Sequence, residues 1–401
     1  MKKSILIYFL FPLILFACKE DPVTSDHDLK SEKLQKMIDS LTNYYHNERN
    51  ITDGGFLIKI NTPLGNYFAT NGITAAAVNS HLRVASISKT FTAAAIMLLY
   101  QQGKININDI ITANMPGTNT TYVPDSPEYE LPDKNQITVK LLLEHRAGVF
   151  DVTNDVIPAS VPQPYAGQLY AVYIESLPEK KFHTFTFDEM IGVAAVNDLS
   201  YFPPGQQYHY SNTGYSVLGK IIERASGMTY NEFIETNFLQ TFSLNDTKSV
   251  LNGKDENLPS PYIGSIYYNG GTVINTTQQN MTPVLAGGNF ISTPEDITKW
   301  MTLLLTGQAG VSMSNVELMK QVQPTGAPGL IDTQYGLGIC YTPGIGYGHN
   351  GAYLSYFLSD FYDPDTGVTV LMATNFWDAE ILLPQANGMV QVAIDAVKVV
   401  Q

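Results

Sequence analysis

Apolar residues recur at Leu34, Met37, Ile38, Leu41, Tyr44 and Tyr45, the spacing of one face of a helix. Downstream the pattern changes to short apolar runs. Phe56 to Ile60 and Tyr67 to Ala69 flank Asn61-Thr62-Pro63-Leu64-Gly65-Asn66, whose Pro and Gly predict the turn of an antiparallel hairpin. From Ser86 to Gln102 the chain is rich in Ala and Leu and ends at Gly103, a residue suited to a left-handed helix cap, which predicts a buried helix starting near Ser86. Between about Thr112 and Leu285 Pro, Asn, Thr and Tyr dominate, with helical patches at Val139 to Glu144 and Ser216 to Ala225 and no leading strand pattern. Thr293-Pro294-Glu295-Asp296 opens another helix, running through Trp300 to Leu305, with Thr as N-cap and Pro in the first turn. Tyr335 to Tyr341, Tyr353 to Phe361 and Val368 to Thr374 have strand character, and Tyr362 to Gly367 gives the last two a hairpin turn.

Strands at both chain ends around a helical middle predict an α+β fold: a central antiparallel sheet, flanked by helices and built from both ends, with a mainly helical domain inserted. The expected sheet domain takes residues 31–111 and 286–401, and the loop-rich helical insertion takes 112–285.

The N-terminus reads differently. Lys2 and Lys3 precede an apolar run from Ile5 to Ala17, the layout of a secretory signal peptide over residues 1–17 and too short for a membrane-spanning helix. Leu15-Phe16-Ala17-Cys18 resembles the lipobox of bacterial lipoproteins, which implies lipidation at Cys18, a tether over 18–30, and an extracytoplasmic, lipid-anchored chain on a bacterial membrane. Cys340 is then a lone thiol, expected in the packed interior, so a disulfide scaffold is excluded. A net charge of −14 with only four arginines argues against a nucleic-acid partner held through its phosphates. The seven His lack ligand spacing, and no P-loop or H-E-x-x-H occurs, so neither a metal nor an organic cofactor is expected.

One arrangement carries chemistry. Ser86-Ile87-Ser88-Lys89 is the only S-x-x-K in the chain, and residues three apart at a helix start share a face, so a hydroxyl and an amine come within reach. A serine hydroxyl is a poor nucleophile without a nearby base, and a partly neutral Lys89 amine could be that base. Burial and a nearby cation are the expected means of lowering its pKa. Taken alone, the pair fits a Ser helix cap followed by an exposed Lys better than a catalytic pair. Two further elements belong with it, Tyr210-Ser211-Asn212 and His349-Asn350-Gly351.

With Phe202-Pro203-Pro204-Gly205 before Tyr210 and Leu141-Leu142, His145, Gly148, Gly287-Gly288 and Tyr335-Gly336-Leu337-Gly338 in the same order, the chain resembles the serine β-lactamase-like family from roughly Gly55 to Asn375. That family includes class C β-lactamases, D-alanyl-D-alanine carboxypeptidases of the penicillin-binding type and related esterases. The resemblance implies a cleft between the two domains and an acyl-enzyme on Ser86. Lys89 and Tyr210 would handle protons, Asn212 would hold Lys89 and a substrate amide, and His349, opening the third motif, would in its charged form be the cation that helps lower the Lys89 pKa. The backbone N–H groups of Ser86 and Ala352 would form the oxyanion hole, with Asn350 and Gly351 binding substrate on an edge strand. His145, Gly287 and Gly288 are expected to be structural.

The departures concern substrate. No K-x-G exists in the chain, which lowers the β-lactamase reading, and the H-x-G form resembles the carboxypeptidase branch. Asn350 replaces the Thr usual there, removing a hydroxyl that would help hold a terminal carboxylate. The expected function is hydrolysis of a peptide of the peptidoglycan type by a D-alanyl-D-alanine carboxypeptidase. An esterase or β-lactamase using the same residues, and a non-catalytic binding or sensor module, are the alternatives.

Overall fold

Ser25 caps the first helix: its hydroxyl accepts from the Asp28 N–H while the Asp28 carboxylate accepts back from Ser25. Helix α1 therefore runs Asp26–Glu48 and takes up residues that the sequence assigns to the tether, because a capping box with acids in the first turn outweighs polar composition. The computed structural model describes residues 25–73, 76–326 and 334–401, so the signal segment and Cys18 lie outside the described residues.

The main sheet has eight strands: β1 (Phe56–Thr62), β2 (Gly65–Asn71), β3 (Gln323–Pro324), β4 (Gln334–Tyr335), β5 (Cys340–Thr342), β6 (Gly346–Tyr353), β7 (Tyr356–Asp363) and β8 (Val368–Thr374). Their spatial order is β2-β1-β8-β7-β6-β5-β4-β3, with every neighbouring pair antiparallel. The N-terminal hairpin docks on β8, pairing Phe56 with Thr374 and Ile60 with Val370, so the sheet is built from both chain ends. The run from Tyr335 to Tyr341 is not one strand, since only its two ends pair.

Four more helices position the site: α2 (Ser88–Gln101), α3 (Asn212–Ser226), α4 (Pro294–Leu305) and α5 (Leu382–Val400). The strand period of two sorts side chains by face. Ile58, Ile60, Phe361, Val370 and Met372 pack toward α1 and α5, whereas Leu57, Leu358, Leu371 and Ala373 join one apolar cluster with α2, α4 and the helical middle of the chain. Within that cluster Phe91 stacks on Trp300 at 3.9 Å and on Phe290 at 4.9 Å, and the Trp300 indole N–H donates to Thr90 Oγ1 at 2.8 Å. These contacts fix α2, and with it the Ser86–Lys89 turn, against the sheet side of the molecule.

The middle of the chain is helical, as its patches suggest, with helices at Val139–Leu143, Phe187–Val196, α3 and Tyr230–Ile234. It also holds a hairpin, Ile266–Asn269 with Thr272–Asn275, that the sequence pattern hides because Thr272 to Asn275 are all exposed and show no alternation. Among the described residues no helix is long and apolar enough to cross a membrane.

Candidate active site

The turn before α2 is strained on purpose of position. Ala85 has φ +48°, a left-handed conformation that costs a residue with a Cβ roughly 1–2 kcal/mol. Ser88 holds it, its hydroxyl donating to the Ala85 carbonyl at 2.6 Å and accepting from the Phe290 N–H at 3.2 Å. A single 3-10 turn, Ala85–Ile87, carries Ser86, and the α-helix proper starts two residues later than expected. Ser86 is the one residue between His81 and Met97 that is not buried.

Beneath it Lys89 is fully buried. Its Nζ donates to Asn212 Oδ1 at 2.6 Å and to the Gly287 carbonyl at 2.7 Å, and stands 3.4 Å from Ser86 Oγ. A Cβ on Gly287 would come within 3.2 Å of Nζ and 3.0 Å of Asn212 Oδ1, so the close approach needs glycine and gives Gly287 a direct contact with the site. Asn212 opens α3, where Ser211 is the N-cap. Its backbone N–H and Nδ2 point at Asp151 Oδ2, at 3.1 and 3.4 Å. Asp151 is buried and also accepts from the Thr153 and Asn154 N–H groups and Asn154 Nδ2. A continuous relay results: Ser86, Lys89, Asn212, Asp151. Burial lowers the Lys89 amine to about 7, against the pull of Asp151, while burial pushes the Asp151 carboxyl up.

The expected charged His349 is corrected by this geometry. Its ring is buried, with Nδ1 on the Asn350 carbonyl and Nε2 2.8 Å from the Tyr335 hydroxyl. A nitrogen facing a carbonyl must carry the proton, and because burial and the nearby Lys89 disfavour a second one, the imidazole is neutral and Nε2 accepts from Tyr335. Burial, then the nearby Lys89, lower its pKa to about 3. The Lys89 amine is thus lowered by desolvation and owes nothing to a histidine cation.

Tyr210 lies on the other side of the amine, its ring centroid 4.6 Å from Lys89 Nζ. The ring packs on His145 at 4.1 Å, and His145 Nδ1 accepts the Ser211 N–H at 3.1 Å, which ties the Tyr210-Ser211-Asn212 segment to the helical lobe.

The third motif sits on β6. Because β5 pairs only with Gly346, Tyr347 and Gly348, the strand is internal in its first half and has a free side from His349 onward, so only its motif half lies at an edge. Beyond it Leu354 and Ser355, at φ +43° and +76°, form a two-residue type I′ turn. Such a turn closes on a hydrogen-bonded Tyr353–Tyr356 pair, so Gly351–Leu358 is bonded as well and Ala352 falls between them, its N–H directed away from β7. That side faces the Ser86 turn. Gly351 does not leave room for substrate, as its sequence suggests; a Cβ there would stand 2.3 Å from the Val84 carbonyl, so the glycine lets β6 and the nucleophile turn meet.

Ser86, Tyr210, Asn212, His349, Asn350 and Ala352 all line one cleft of about 350 Å³, with Lys89 under its floor. Asp, Glu, Lys and Arg are absent from the lining among the described residues, and no group of side chains there could hold a metal ion. His183 pairs with Glu189, and His209 stacks on Tyr201 with Nδ1 3.1 Å from the Tyr210 carbonyl oxygen; neither lines the cleft. Ser88, Asp151, Gly287 and Tyr335 are the contributors that sequence reading passes over as site residues. Only Asp151 carries a local signal, an Asp whose carboxylate accepts N–H groups two and three residues on, as in an Asx turn.

An antiparallel sheet with a helical lobe, and a serine and lysine one turn apart between them, define the β-lactamase/transpeptidase-like class. The chain belongs to the Beta-lactamase family, which it matches over residues 46–382. It is 26% identical to human serine beta-lactamase-like protein LACTB, mitochondrial, over 59% of this chain and 49% of that protein. Identity to Penicillin-binding protein 4* of Bacillus subtilis is 30% over 42% of this chain and 31% of that protein. The chain therefore spans half or less of the length of these curated relatives. In fold it is similar to D-amino acid amidase from Ochrobactrum anthropi SV3, with TM-score 0.72 and 21% identity over 92% of this chain and 98% of that one. A D-stereospecific amidohydrolase from Streptomyces gives TM-score 0.71 and 22% identity over 91% and 98%.

Proposed function

We propose that this chain is a serine hydrolase that forms an acyl-enzyme on Ser86 and cleaves a small amide, peptide or ester. The observation that carries it is the buried Lys89 amine, lowered to about 7 and 3.4 Å from the Ser86 hydroxyl. Near neutral pH part of this amine is unprotonated and can accept the Ser86 proton as Oγ attacks the substrate carbonyl. The Ser86 and Ala352 N–H groups stabilise the oxyanion, and losing one such donor typically costs about a hundred- to a thousand-fold in rate. The C–N or C–O bond then breaks as Tyr210 delivers a proton to the leaving group and is reprotonated from Lys89, and water, giving one proton back to Ser86 Oγ as it attacks the ester carbonyl, breaks the acyl–Oγ bond and releases the acid.

Between the carboxypeptidase and its alternatives, charge favours the second. A D-alanyl-D-alanine carboxypeptidase must hold a terminal carboxylate, yet the cleft lining contains no Lys or Arg among the described residues, His349 is neutral, and Lys89 is engaged by Asn212 and Gly287. An amidase or esterase acting on an uncharged acyl donor fits this lining better, and the fold's similarity to amidases supports it. Incubating the purified chain with a D-Ala-D-Ala peptide, a D-amino acid amide, a penicillin and a nitrophenyl ester tests the reading. Ser86-dependent turnover of amide or ester with little D-alanine release is expected, and Ser86→Ala should lower it at least about a thousand-fold. Efficient D-alanine release would restore the carboxypeptidase, and an unmodified Ser86 with every donor would leave a binding module.

A further inference from the structure

A second cavity of about 220 Å³ opens off the Ser86 cleft, sharing Ala352, Phe357, Leu383 and Ala386 with it. Its remaining walls are Trp377, Leu382 and the buried Gln385, so it too carries no formal charge among the described residues. The Trp377 indole N–H donates to the Tyr356 carbonyl at 3.2 Å, which holds the ring in place. Leu382 and Leu383, in the first turn of α5, keep 40% and 41% of their surface exposed beside it. Two adjacent exposed leucines next to a fixed indole give this recess an apolar rim that no other described residue covers. For scale, a dry protein cavity of about 150 Å³ accepts benzene.

Resting on the acyl-enzyme reading above, we propose that this shelf is a side-chain subsite, and that the substrate carries an aromatic or large aliphatic group without charge next to its scissile carbonyl. The occupant follows from continuity with the Ser86 cleft, from size, and from the absence of any charged lining residue. Apolar contact made with the reacting substrate raises kcat/KM, at about ten- to two-hundred-fold for the best single-group discriminations.

The test compares nitrophenyl phenylacetate with nitrophenyl acetate on the full-length chain. The kcat/KM ratio should favour phenylacetate by about tenfold or more. Leu383→Ser removes part of the wall and Ala386→Phe fills the shelf from a half-exposed helix position, and each should lower that ratio at least about threefold while thermal melting stays cooperative. A wild-type ratio near one, or a ratio that neither substitution moves, overturns the subsite while leaving Ser86-dependent acetate turnover and the acyl-enzyme intact. Absence of any Ser86-dependent ester turnover overturns both.

Discussion

At Lys89 a single desolvation decides the chemistry. An ammonium with an ordinary pKa near 10.5 makes a poor base at neutral pH, and burial brings it to about 7. Because the base must be neutral, kcat/KM for an ester should rise with pH through about 7, where the proton leaves Lys89. Asp151 favours the ammonium, so Asp151→Asn should move that rising limb to lower pH; a limb that stays in place would show that another group sets it. Ser86 and Lys89 could be paired from sequence because residues three apart at a helix start share a face, whereas Tyr210 and Asn212 were legible only through the family resemblance of their flanking segments. The charge of His349 was not legible. It depends on burial and on Tyr335, which lies beside it only after β4 and β6 join the same sheet.

Among the elements, β6 is the one whose role sequence obscures. Its glycines lower strand propensity, yet one of them is needed for the sheet to touch the nucleophile turn. Adding a methyl group at Gly351 would force the Val84 carbonyl or β6 to shift, since 2.3 Å is well inside contact distance. Gly351→Ala should therefore reduce kcat by tenfold or more, on the order of what a displacement approaching 1 Å costs in a positioned site, and lower the melting temperature. Full activity would show that this approach does not set the site. The I′ turn at Leu354-Ser355 has no Asn-Gly or Gly-Gly signature to announce it. It is held by context, with Ser355 Oγ 3.0 Å from Thr276 Oγ1, and the same turn aims the Ala352 N–H.

Across the whole molecule, the face of the sheet under α4 encloses ionisable groups. Lys59 pairs with Glu295 at 2.9 Å, but both Asp360 carboxylate oxygens are buried without a hydrogen-bond partner among the described residues. Burial raises the Asp360 pKa well above 3.8, and Lys59 is the neighbouring charge that opposes this. An acid whose folded pKa is raised holds its proton longer when folded, so its contribution to stability falls as pH rises above the unfolded value. Asp360→Asn should accordingly gain melting temperature relative to wild type, by an amount that grows from pH 5 to pH 8. A difference independent of pH would mean that the Asp360 carboxyl is already ionised in the fold across this range, without the upward shift.

What the sequence determined by itself was local: the hairpins at Asn61–Asn66 and Tyr362–Gly367, the Thr293 cap, the helix ending at Gly103, and the serine and lysine one turn apart. Hydrogen bonding and side-chain periodicity over a few residues suffice for these. The tertiary structure decided the rest. The docking of the N-terminal hairpin on β8 closed the sheet, Val84 met Gly351, and Asn212, Gly287 and Asp151 surrounded one amine. Those outcomes depend on which distant segments exclude water from one another, and desolvation is a property of the assembled neighbourhood.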